Sequence, residues 1–147
     1  MTTQTLVEKV KLKLNLIEYD GDVTIPDDII EKHLETAKTL IDSVFDVSSE
    51  PDSLYLYEEC ATEFAKYLTM VSWAANAIDV ERTPNTWTTI LKTELRILKA
   101  LLLQLLGDEL TVNQILGEAT SDFIKQVSIP LVASSYNLLT RNLLDFL

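Results

Sequence analysis

Glycine is nearly absent: Gly21, Gly107 and Gly117 are the only three in 147 residues. A many-stranded sheet needs glycine at its tight hairpin turns, and a phosphate-cradling loop needs several within a few positions. Both arrangements are excluded here, and with them the Rossmann and P-loop classes. What the chain has instead is long stretches without a glycine or proline, the longest candidate element running from Leu54 to Ile78. In that stretch Leu54, Tyr57, Ala61, Phe64, Ala65, Leu68, Val71, Ala75 and Ile78 recur at steps of three and four, the spacing of one face of an α-helix.

The same period marks two further long helices. Pro26 is suited to a helix start and is followed by Asp27, Asp28 and Glu31, which complement the positive end of the helix dipole. The stripe Ile29, Ile30, His33, Leu34, Ala37, Leu40, Ile41, Val44 and Phe45 carries that helix to Phe45. Ser48, Ser49, Pro51 and Asp52 are turn formers and predict a break from Asp46 to Ser53. A third helix is predicted from Thr86, with Asn85 as its N-cap, to Leu106, where Gly107 supplies a left-handed stop.

Three segments are shorter. Thr5 to Ile17 reads two ways, because Val10, Leu12, Leu14 and Leu16 alternate with polar residues as in a strand, while Leu6, Val7, Val10, Leu14 and Ile17 share a helical face; helix is preferred. Thr111 is the expected cap of a short helix through Leu116 that continues towards Val127. Ser134 or Ser135 is expected to cap a last helix with an apolar stripe running to Leu147. The expectation is an all-α helical bundle of three long helices with shorter terminal helices, divided into residues 1–128 and a C-terminal docking segment, 129–147.

Apolar residues are 47% and charged residues 24% of the chain, an ordinary globular balance. Acidic side chains number 23 against 12 basic ones, a net charge of −11. Sequence-specific DNA binding is unlike such a surface, because phosphates are repelled wherever basic residues are not segregated. No apolar signal core follows Met1, and the most apolar run, Leu95 to Leu106, is interrupted by Arg96, Lys99 and Gln104. These features lead to an expectation of cytoplasmic synthesis and no membrane.

Candidate chemistry is sparse. Asp20, Asp22, Thr24, Pro26, Asp28 and Glu31 have the spacing of a calcium loop, yet Ile25 stands where the sharp turn needs glycine. Asp20, Asp22, Asp28 and Glu31 are the residues a metal would use, and acidic residues at a helix start are the preferred reading. His33, the only histidine, has no nucleophile motif beside it. Cys60, the only cysteine, reads as a small buried residue. Glu59 and Glu63, one helical turn apart, and Lys9, Lys11 and Lys13 read as solvated faces. No enzyme activity and no cofactor are expected. The leucines around the third long helix exceed what one core needs, so Leu95, Leu98, Leu101, Leu102 and Leu105 are the candidate subunit interface. The candidate partner-docking residues are Ile129, Pro130, Leu131, Tyr136, Leu138, Leu139, Arg141, Leu143 and Phe146.

The order TLVEKVKLKLNL, an acidic turn YDGD, the helix PDDIIEKHLETAKTLIDSVFD and a second long helix resembles the head-completion, or head-to-tail connector, proteins of tailed bacteriophages. The resemblance spans Leu6 to Phe45 and the following helix, about half of the chain. It implies a structural protein of the virion neck, made in the host cytoplasm. Such a protein forms a ring between the portal and the tail or stopper proteins, and genomic DNA passes through its channel without sequence-specific binding. The alternative is an acidic helical interaction module, chaperone-like or regulatory, that does not form a ring.

Overall fold

The computed structural model describes residues 3–15, 26–46, 50–77 and 84–122. They form five α-helices: α1 (Thr3–Asn15), α2 (Asp27–Asp42), α3 (Pro51–Ala77), α4 (Pro84–Leu106) and α5 (Glu109–Asp122). The chain is all-α, and the described residues contain no strand. The boundary drawn near residue 128 and the final helix expected after Ser134 lie outside the described residues.

For the first segment, burial decides between strand and helix. Leu6, Val7, Val10 and Leu14 are all at most 4% exposed, while Leu12 is 66% exposed. A strand alternating from Val10 would place Leu12 on the same face as Leu14, whereas on a helix the two are about 200° apart.

The helix ends differ from expectation in four places. Proline is responsible for two of them. Pro51 and Pro84 begin α3 and α4, because a first helical residue loses nothing by lacking an N–H and proline already holds the required φ. α3 therefore starts three residues before Leu54, and α4 two residues before Thr86. In α2 the regular helix stops at Asp42, short of Phe45. There the Ser43 hydroxyl donates to the Leu40 carbonyl at 2.6 Å and the Val44 N–H to the Ile41 carbonyl at 3.1 Å, tightening the last turn. In α5 the capping residue is Asp108 and not Thr111. Its carboxylate accepts the Leu110 N–H at 3.3 Å and the Thr111 hydroxyl at 2.5 Å, and these bonds hold the Asp108 carboxyl below its ordinary value, the Thr111 bond foremost. Gly107 has φ of +73°, the left-handed stop expected for α4.

The chain divides into two compact units, Met1–Thr69 and Met70–Leu147, with the division inside α3. In the first, α1 packs on α2, which buries Ile30, Leu34, Ala37 and Ile41 at steps of three and four. The buried residues of α3 in this unit include Cys60, Ala61, Phe64, Ala65, Tyr67 and Leu68. Side-chain pairs define the directions. Lys9 meets Glu59 and Lys13 meets Glu63, each pair fifty positions apart, so α1 and α3 run parallel. Lys11 near the end of α1 pairs with Asp27 at the start of α2, and Asp42 at the end of α2 accepts the Tyr57 hydroxyl near the start of α3. The order is up, down, up.

In the second unit α4 and α5 pack on each other around the Gly107–Asp108 corner. Leu91, Leu95, Leu98 and Leu102 form the buried stripe of α4; Val112, Ile115, Leu116 and Ala119 form that of α5. Each fully buried aliphatic side chain contributes about 1.5 to 3 kcal/mol relative to exposure.

Candidate functional site

Two places concentrate chemistry. In the first unit, α1 and α3 meet along a charged seam. Lys9 pairs with Glu59, Lys13 bridges Glu59 (3.3 Å) and Glu63, and Lys66 approaches Glu63 at 3.7 Å. These side chains are only 10 to 26% exposed. The seam arises because Lys9 and Lys13 are one turn apart on α1 and Glu59 and Glu63 one turn apart on α3, so two parallel helices bring both rows into register.

The seam corrects the reading of both rows as solvated faces. Each row taken alone looks like a surface; only the pairing takes them out of water. Burial pulls the Lys13 ammonium down and raises the Glu59 carboxyl, but the facing charges outweigh it: Lys13 ends above its ordinary value and Glu59 below. Lys13 and Glu59 are therefore charged at neutral pH. Such a seam sets the register of two helices. Lys9 also lies 5.3 Å from the ring centre of Tyr55, which is 60% exposed, a cation–π contact at the seam's edge.

The other reactive groups of this unit are muted. Burial pushes the Cys60 thiol up to about 12, with Glu59 and Glu63 adding to the effect, so it is a protonated, unreactive thiol at neutral pH. Burial, assisted by Lys32, lowers His33 to about 4 and keeps its imidazole neutral. Burial and the hydrogen bond to Asp42, 2.7 Å long, raise the Tyr57 phenol above its ordinary value. The buried hydroxyls of Thr62, Thr69 and Thr120 donate to carbonyls of their own helices.

Of the residues considered for a metal, Asp28 and Glu31 lie exposed on the first turns of α2, and Asp20 and Asp22 fall outside the described residues. Among the described residues no three His, Cys, Asp or Glu side chains are grouped to hold a metal ion, and no helix is long and apolar enough to cross a membrane.

The second place is the surface of α4 and α5. Leu95, Leu98 and Leu102 are fully buried within the chain and so are not on its exposed surface. Leu101 and Leu105 are partly exposed. The large apolar side chains of α4 and α5 most exposed to water are Ile97 (44%), Leu103 (44%) and Leu110 (80%). The stripe of buried leucines at 91, 95, 98 and 102 was the signal that could have separated the two faces. Between α4 and α5 opens a groove of about 170 Å³ lined by Lys99, Ala100, Leu103, Glu109 and Val112. The predicted docking residues from Ile129 to Phe146 fall outside the described residues.

Comparison with family models, with curated proteins and with solved structures finds no match to this chain.

Proposed function

We propose that the protein is a structural, non-catalytic component of a tailed-phage neck, assembling as a ring between the portal and the tail or stopper proteins. The observation that carries this reading is the arrangement of α1, α2 and α3. A short lysine-bearing helix, a helix opening with paired aspartates, and a long third helix follow one another in the order of the resemblance and pack as one up-down-up unit. The charged seam pairs Lys9, Lys13 and Lys66 with Glu59 and Glu63 and so takes these lysines away from the acidic exposed surface. An acidic wall suits a DNA channel, because it repels the passing phosphates and forms no sticky contacts. The exposed Ile97, Leu103 and Leu110 supply apolar area for protein partners.

The test is co-expression of the chain with the portal protein encoded in the same genome, followed by purification and cryo-EM of the portal rings. The expected result is an added ring of this chain on the portal, and particles that lose DNA or fail to join tails when the chain's gene is deleted. Portal rings that carry no added density, together with infectious particles lacking the chain, overturn the reading. The acidic interaction module that forms no ring is then the reading that remains.

A further inference from the structure

The most exposed large apolar side chain of the described residues is Leu110, in the first turn of α5, and it lies beside a groove of its own unit. Val112 lines that groove, and residues two apart on a helix point about 200° from each other, so Leu110 faces away from the groove. A protrusion and a recess on opposite sides of one helix cannot satisfy each other within a molecule. They can between copies. The groove's 170 Å³ exceeds the roughly 150 Å³ apolar cavity that accepts a benzene ring, so the four carbons of a leucine side chain fit.

Leu110 is preceded by Asp108, which is outside the groove's lining, whereas the groove carries Lys99 on its α4 side and Glu109 on its α5 side, with Arg96 and Lys92 one and two turns back from Lys99 on the same helical face. We propose that Leu110 of one copy inserts into the α4–α5 groove of the next, with Asp108 meeting the basic row of α4. Because the inserting and receiving surfaces differ, the contact is head-to-tail and propagates from copy to copy until rotation closes it. The proposal deepens the ring reading by naming the subunit contact, and it rests on that reading only for the closure.

The test runs the full chain in sedimentation velocity across a concentration series, beside Leu110→Asp, Ala100→Trp and an equimolar mixture of the two. Leu110 and Ala100 are both exposed, so neither change touches the core, and thermal melts check that both variants fold. The wild type is expected to grow beyond a dimer with concentration. Each variant alone should associate at least about tenfold more weakly. Their mixture should form a dimer that does not extend, since each variant keeps the surface the other has lost. A wild type that stays a single protomer at every concentration overturns the contact, and so does association that Leu110→Asp leaves unchanged. An Ala100→Trp variant that melts far below the wild type at unchanged mass places a segment of the same chain in the groove, which overturns it as well. The two readings fail separately. Portal-bound rings indifferent to Leu110→Asp remove this contact and keep the connector. Copies that associate through Leu110 but ignore the portal do the reverse.

Discussion

The α1–α3 seam and the α4–α5 pair join helices by different means, and the difference separates scaffold from contact surface. The seam is charged and paired internally: Lys9 and Lys13 on α1 meet Glu59 and Glu63 on α3, and α1 can slide on α3 only by breaking several pairs together. The α4–α5 pair buries Leu91, Leu95, Leu98 and Leu102 of α4 and Val112, Ile115, Leu116 and Ala119 of α5, and it leaves Leu103 and Leu110 in water. Apolar contacts have no directional register to complete, so surplus apolar surface remains available to another molecule. Both units leave apolar side chains in water, Leu12 and Tyr55 foremost in the first and Leu110 in the second, but only the seam fixes a register by paired charges.

Core truncation should have the largest effect in both regions. Leu68→Ala in α3 and Leu98→Ala in α4, both fully buried, should each cost about 2 to 5 kcal/mol in chemical denaturation. An unchanged midpoint for either would remove its helix from the core. Lys13→Met comes next, at about 2 kcal/mol. That is less than a fully buried pair would lose, because its side chain is 21% exposed. The double variant Lys13→Met with Glu63→Met should recover much of the loss, since no carboxylate is then left facing an empty site. If the two single losses simply add, the seam has no coupling and the comparison fails.

The pH dependence sharpens the contrast, because the shifted groups in question belong to the first unit. His33 is neutral in the fold down to about 4, while an unfolded imidazole takes up its proton near 6.5. Between those values the unfolded chain binds more protons, so stability falls as pH falls, by up to about 1.4 kcal/mol per pH unit. Glu59, held below its ordinary carboxyl value, acts in the same direction at lower pH: the stability it adds is present above the unfolded value and is lost as pH falls through the folded one. Lys13 acts at the other end. Its contribution is complete below its unfolded value of 10.5 and disappears as pH rises through the higher folded value. Denaturation midpoints of His33→Leu should be nearly flat between pH 6.5 and about 4, where the wild type declines. The smallest effect is expected from Asp108→Ala, which should speed amide exchange at Leu110 and Thr111 and lower the global midpoint only slightly, because the cap serves only the first turn of α5.

Helix type was legible wherever apolar spacing was long and its ends were punctuated, as in α2 and α4. Helix ends were less so, because proline signals both a turn and a first helical residue, and Pro51 and Pro84 take the second role. The seam was illegible for a different reason. Glu59 and Glu63 are separated from their lysines by some fifty positions, and charge spacing on one helix carries no record of which helix faces it. The leucines of α4 show the same limit in apolar form. Their number announced a second covering surface, and only the burial of Leu91, Leu95, Leu98 and Leu102 identified it as the chain's own.

The contrast between a charge-paired seam and an apolar pair is tested most directly by hydrogen–deuterium exchange on the full chain at low and high protein concentration. Added protection on assembly should be confined to the end of α4 and the start of α5, around Leu103 and Leu110, with α1 and the first half of α3 exchanging identically at both concentrations. Protection that instead appears around Lys9 to Lys13 and Glu59 to Glu63, or that changes nowhere while the protein's mass grows, would contradict the account.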